Sequence, residues 1–191
     1  MAQLIATAFV SQDGVMEAPG GEDGYRNAGW TFKDIDFVEE AYELKAMEQQ
    51  QAGSLMLGRR SYQAFAPVWP SMEAEFPRYN AMPKYVVSTT LDPADLVTDW
   101  GRIDILRGVD DVAAAKDQAS EPIIIHGSGE LVRSLTDAGL VDRFHLLVFP
   151  VLLGAGKHYF SAADKAAQRL DLVDSAVYAN GVQKLVYDVV R

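Results

Sequence analysis

"IIIHGSGELVRSL", residues 123–135, decides how the chain is read. Three successive isoleucines leave no polar face for solvent. Such runs belong to strands of a parallel sheet covered on both sides. Leu131, Val132 and Leu135 then recur at helical spacing. Between the two patterns lies Gly127-Ser128-Gly129. A strand, a glycine turn and a helix make up most of a βαβ unit. The turn has two readings. It is a tight strand-to-helix corner, or it presents amide N–H groups to an anion at a helix N-terminus.

The same alternation extends outward. Strands are predicted over 4–10, 54–57, 84–89, 103–106 and 144–149. Helices are predicted over 110–118 and 130–138, the second closed by Gly139. A longer helix is predicted over 36–51, with Asp34 or Asp36 at its start and Phe37, Ala41 and Leu44 on one stripe. Two strands over 169–178 and 182–190 flank "ANG", and Asn-Gly is a strong hairpin signal. The expectation is one α/β domain over 1–191. Its three α/β/α layers hold a mixed, mostly parallel sheet of about seven or eight strands, closed by an antiparallel hairpin. Residues 11–33 form a long Gly- and Asp-rich loop of the kind that covers pockets.

Charge narrows the partners. The chain has 191 residues, 17 basic against 27 acidic, for a formal −10. That balance disfavours nucleic acid and anionic membrane, since a phosphate surface needs a basic face. No cysteine is present, which removes disulfides, thiolate nucleophiles and cysteine-based zinc sites. The apolar N-terminus is too short to span a membrane and lacks a basic flank, so a cytoplasmic protein is expected. "GAGK" at 154–157 departs from a Walker A loop at Val151 and His158. The three histidines lack metal-ligand spacing, and no metal is expected.

Three turns follow predicted strands, where open α/β sheets bind ligands. "LMLGRRSYQAF" places Gly58, Arg59, Arg60 and Ser61 at a helix start, which suits a phosphate. "VVSTTLD" offers Ser88, Thr89 and Thr90, either to a ribose or phosphate or as a local hydroxyl turn. "HGSGELV" offers His126, Gly127, Ser128, Gly129, Glu130 and Leu131. Val132 breaks the strict dinucleotide fingerprint there.

With those turns in order, the chain resembles the dihydrofolate reductase-like family. The closer branch is the reductase of riboflavin biosynthesis, the RibD C-terminal domain, in a stand-alone form. "LIATAFVSQDGVM", "LMLGRRSYQAF", "MPKYVVSTTL" and "GLVDRFHLLVFPVLLGAG" carry the resemblance. It implies an eight-stranded sheet and NADPH as hydride donor. Arg59, Arg60 and Ser61 would hold the 2′-phosphate and pyrophosphate, and Ser88 and Thr89 the adenosine end. The turn from Gly127 to Glu130 would lie under the pyrophosphate. Ala6 and Thr7 would lie near the nicotinamide, with Asp13, Gly14 and Val15 opening a loop over cofactor and substrate. The family commonly pairs two glycines where Ser128 stands between Gly127 and Gly129. The implied activity is reduction of a small heterocycle, similar to 5-amino-6-(5-phosphoribosylamino)uracil or a pterin. The alternative is an NADP(H)-binding sensor without turnover. Asp34 and Asp36 are candidate catalytic acids, or helix caps. Trp30, Tyr62 and Trp69 are candidates to wall the substrate, or core residues. Lys157 and Arg26 could meet a substrate phosphate. A homodimer is expected, with "HLLVFPVLLG" either at its interface or buried within one subunit.

Overall fold

The computed structural model describes residues 2–21, 24–33, 35–160 and 166–191. Eight strands form one sheet: β1 (Leu4–Ser11), β2 (Ser54–Gly58), β3 (Lys84–Val87), β4 (Ile103–Leu106), β5 (Ile123–His126), β6 (Arg143–Phe149), β7 (Leu170–Val177) and β8 (Gln183–Val189). Their order is β4-β3-β2-β5-β1-β6-β8-β7. The pairs from β4 through to β6 are parallel, and β8 runs antiparallel to both β6 and β7. Strand β5 sits at the centre, between β2 and β1, which explains its unbroken apolar run. Ile123, Ile124 and Ile125 are all buried, covered from both faces.

Among the described residues five α-helices cover the two faces: α1 (Glu43–Gln51), α2 (Arg59–Phe65), α3 (Pro77–Ala81), α4 (Val109–Gln118) and α5 (Gly129–Asp137). On one face Val112 of α4 and Val132 and Leu135 of α5 pack on Leu4, Ala6, Met56, Ile123 and Ile125. On the other, two apolar clusters lie side by side. Tyr62 of α2 and Tyr79 of α3 join Ile5, Leu55, Leu57 and Ile124 in one. Leu44 of α1 joins Trp30, Leu147, Phe149 and Val186 in the second. The His145–Phe149 stretch of β6 is therefore spent in this chain's own core.

The expected C-terminus of α5 is present. Gly139 takes φ +68, its amide donates to Thr136 O, and the Leu140 amide reaches Leu135 O. The helix expected over 36–51 is shorter. A 3-10 turn, Glu39–Tyr42, leads into α1, and no side chain caps either start. Phe37 does not join the buried stripe. It is 74% exposed and stacks on Tyr42. The buried stripe is Ala41, Leu44 and Glu48, with a carboxylate where the pattern calls for an apolar residue.

Candidate functional site

A cleft of about 690 Å³ runs along the carboxyl ends of the parallel strands. The turn after β2 contributes Gly58, Arg59, Arg60 and Ser61, and the turn after β3 contributes Ser88, Thr89 and Thr90. Arg107 and Gly108 follow β4, and Gly127 to Leu131 follow β5. From the long loop after β1 come Met16, Glu17, Ala18, Pro19 and Tyr25. The three turns singled out in the sequence thus meet on one wall. Sequence reading passed over Arg107, Arg133 and Met16. For Arg107 the available signal was a base directly after a strand, at the end of the sheet where ligands bind.

The cleft's charge opposes that of the chain. Arg59, Arg60, Arg107, Arg133 and Lys157 line it against Glu17 and Glu130, five cations to two anions, in a chain of formal −10. The cations are not equally available. Arg107 donates through Nη1 to Ser88 O and Leu91 O, at 3.1 and 2.8 Å. Arg133 donates to His158 O at 2.6 Å. Lys157 pairs with Glu17 at 2.9 Å, and that contact holds the Glu17 carboxyl below its ordinary value. Arg60 lies 3.2 Å from Glu130, both exposed. Arg59 has no ion-pair partner among the described residues, and it is exposed.

Ser128 ties two of these turns together. Gly127 and Ser128 both take left-handed backbone, at φ +58 and +56, which swings the chain from β5 into α5. For serine this conformation costs roughly 1–2 kcal/mol. Its hydroxyl offsets part of that. The Oγ accepts from Gly58 N at 2.9 Å and lies 2.8 Å from Ser61 Oγ and 3.0 Å from His126 O. The next residue, Gly129, lies directly under the Met16 side chain. A Cβ on Gly129 would stand 2.7 Å from Met16 Sδ. The first amides of α5 thus open on the cleft beneath Met16, where the helix dipole favours an anion. Ser88 has the local role as well, accepting from the Thr90 and Leu91 amides at 3.2 and 3.0 Å.

Other candidates lie elsewhere. Asp13 accepts from Ser11 Oγ and from the Leu153 and Gly154 amides, and its carboxyl is lowered to about 2, the Ser11 bond being the chief cause. Val15 bridges to His158. Asp13, Gly14 and Val15 therefore pin the loop after β1 to residues 153–159, and Met16 is the first of that loop to reach the cleft. Asp36 is exposed, and its carbonyl accepts from Asn180 Nδ2 at 2.9 Å, beside the β7–β8 turn. It caps no helix and stands outside the cleft. Asp34 lies outside the described residues. Trp30 is buried edge-on to Phe149 and donates to Glu17 O. Tyr62 is buried against Trp100, and its hydroxyl accepts from the Val97 amide. Trp69 packs among Phe65, Phe76 and Tyr79. All three aromatics serve the core. Arg26 is exposed and outside the cleft.

A polar seam borders the cleft at β1. Thr7 is in register with His126 of β5 and His145 of β6, so the three side chains share one face. Over them lies Glu48 of α1. Its Oε1 accepts from Thr7 Oγ1 at 2.7 Å and lies 2.9 Å from His145 Nδ1. The Lys45 ammonium donates to Thr7 Oγ1 and stands 3.3 Å from both Glu48 oxygens. His126 Nδ1 meets the Tyr79 hydroxyl at 2.9 Å. Burial pushes the Glu48 carboxyl up, but the Lys45 charge and the His145 bond outweigh it, and the group stays well below the usual range. Burial and the Lys45 charge lower His126 to about 4, so it is neutral at pH 7. The seam divides the two apolar clusters on its face. Ala6 points to the opposite face and is fully buried. The seam abuts the cleft through the backbone, since the Gly127 amide donates to Thr7 O at 3.3 Å. His126 stands one layer behind, edge-on to Phe65, which does line the cleft.

Among the described residues no cluster of metal-ligating side chains occurs, and no helix is long and apolar enough to cross a membrane. A putative riboflavin biosynthesis protein from Shewanella sp. PV-4 superposes with TM-score 0.77 at 19% identity, covering 100% of both chains. Dihydrofolate reductase from Enterococcus faecalis, complexed with NADP(H) and RAB-propyl, superposes with TM-score 0.57 at 15% identity, over 98% of this chain and 96% of that one. RibD from Acinetobacter baumannii gives 0.65 at 14% identity, and this chain spans 59% of its length. These likenesses establish a dihydrofolate reductase-like fold. In sequence, the uncharacterized protein YyaP of Bacillus subtilis (strain 168) is 26% identical over 191 residues, covering 97% of this chain and 94% of that protein. The family model described as the RibD C-terminal domain matches residues 2–184, and the chain belongs to that family.

Proposed function

We propose that this protein is a reductase that binds NADPH along the cleft and reduces a small heterocycle at its β1 end. The observation that carries the reading is the inverted charge of the cleft. A chain of formal −10 gathers five cations and the first amides of α5 around one elongated space, within the roughly 300–1,000 Å³ usual for ligand sites. A dinucleotide phosphate fits that donor set. The α5 amides and the Ser61 hydroxyl suit a pyrophosphate, and Arg59, exposed and without an ion-pair partner among the described residues, suits a terminal phosphate beyond Thr89. The bound cofactor supplies hydride chemistry.

The exposed Arg59 and the hydroxyl turns set the direction of the ligand. Its anionic end belongs with the arginines and hydroxyl turns after β2, β3 and β4. Its neutral ring then falls near Gly127 and the seam at β1. Met16 and the residues after it cover this end from the loop side and help exclude water. Family membership and the reductases among the structural relatives support the same chemistry. The 5-amino-6-(5-phosphoribosylamino)uracil of riboflavin synthesis and the pterins are the first substrates to try. Lys157 is already paired to Glu17, so a substrate phosphate there would displace that carboxylate.

The experiment is substrate-dependent NADPH oxidation across aminouracils, pterins and deazaflavins, with binding followed in parallel. Oxidation with at least one ring class is expected. NADPH binding without turnover on any of them would instead mark a sensor of NADP(H).

A further inference from the structure

We propose that Lys45 is the proton donor of this site. The inference rests on the reductase reading above. Reduction of a C=N or C=O bond adds hydride to carbon, and the π pair moves to the heteroatom. That atom then needs a proton. The seam holds one carboxylate, Glu48, but it is not presented to a substrate. Its side chain is 2% exposed, and its oxygens are engaged by Thr7, His145 and Lys45. The Lys45 side chain is 12% exposed, and it is the member of the Lys45–Glu48–His145 group that reaches outward.

The ammonium has three protons. Thr7 takes one and the Glu48 carboxylate shares a second. Both Glu48 contacts are long, at 3.3 Å, so a single proton can serve them and the third can turn to a ligand. Lys45 also stands over the Phe9 ring, 5.2 Å from its centre, with Tyr42 edge-on to Phe9 and the exposed Phe37 stacked on Tyr42. This gives the cation an aromatic border suited to a flat ring. Burial lowers the Lys45 ammonium and Glu48 raises it again, with the net below an ordinary lysine, which eases proton release. The Lys45 charge is felt by His126, and Glu48 links it to His145 and Tyr79.

In the step, a C–H bond forms at the substrate carbon and the dihydronicotinamide is oxidised. A Lys45 N–H bond breaks as its proton joins the heteroatom. Water then reprotonates the neutral amine at its exposed edge. Glu48 and His145 are positioning residues, holding the ammonium against Thr7.

A donor that faces developing negative charge should prefer a ring that already carries it. The test titrates barbiturate, a ring anion at neutral pH, and uracil, a neutral ring of similar shape, into NADP-saturated protein by calorimetry. Barbiturate should bind at least about tenfold tighter. The preference should disappear at a pH where the Lys45 amine is neutral, survive in Lys45→Arg, and vanish in Lys45→Met. The double variant Lys45→Met/Glu48→Gln, which leaves no buried charge unpaired, should lose it too. Equal binding of the rings, no binding of either at millimolar concentration, or a preference that persists in both Met variants overturns the proposal. The NADPH-induced rise in melting temperature is read separately. If wild type shows none, the cofactor reading fails, and the ring preference of the free protein still decides the role of Lys45.

Discussion

The two ends of this site are built on opposite principles. At the arginine end, charged side chains stand in solvent around a wide cleft, and the backbone does much of the shaping. At the β1 end, Thr7, Glu48, His145 and Lys45 are packed between two apolar clusters, and nearly every polar atom is spoken for. Exposed charges are cheap to keep and free to meet a ligand. Buried charges are stable only while every partner remains. The arginine end should therefore govern cofactor binding and contribute little to stability, and the seam, apart from the Lys45 edge that meets the ring, should act mainly on stability.

The largest effect should follow from breaking the seam. Glu48→Ala leaves Lys45 and His145 without their carboxylate and should cost about 3–5 kcal/mol in urea unfolding. Arg59→Ala should cost less than about 0.5 kcal/mol, as an exposed substitution. Comparable losses at the two sites would erase the distinction between the ends. Next comes acid. The Glu48 carboxyl is held below its ordinary 4.5 in the folded state, so its stabilisation is full above that pH and is lost as pH falls below it. His126 acts in the same direction. Its folded value of about 4 lies below the ordinary 6.5, so protonation across that window favours the unfolded chain. Urea midpoints should fall between pH 6 and 3, and Glu48→Gln should flatten the part below about 4.5. A flat wild-type profile would mean the carboxylate is not held by its partners.

The same contrast explains what could be read in advance. Glycines, arginines and hydroxyls directly after β-branched runs are local signals, so the turns at Gly58, Ser88 and Gly127 were legible, and so was the sheet. The seam was not. Thr7 lies 41 residues from Glu48, and Glu48 lies 97 from His145. Taken singly, each reads as an ordinary strand or helix residue. One trace was present: Glu48 follows Leu44 on the stripe that α1 buries. The longer helix failed for a related reason. Phe37, Ala41 and Leu44 have helical spacing, but Phe37 stacks outward on Tyr42, and Asp36 is held beside the hairpin turn.

At the arginine end the predictions concern affinity. Arg59→Ala should weaken NADPH by about 1.5–3 kcal/mol and NADH far less, because only the former carries the extra phosphate. Arg60→Ala should do less, since Glu130 already shares its guanidinium. Equal losses for both cofactors would remove the phosphate-reading role. Ser128 joins stability to binding and should show the smallest effect. Ser128→Ala keeps the left-handed strain and loses the Gly58 bond, for about 1–2 kcal/mol. Ser128→Gly loses the bond and relieves the strain, so it should be the milder variant by about 1 kcal/mol. The reverse order in thermal unfolding would mean that the strain is not real.

The central claim is that the cationic cleft holds a phosphorylated dinucleotide, and equilibrium titration of the wild-type protein with NADPH and NADH tests it most directly. NADPH should bind at least tenfold tighter, a difference of about 1.4 kcal/mol. Equal affinity for the two, or no binding of NADPH, would contradict the account.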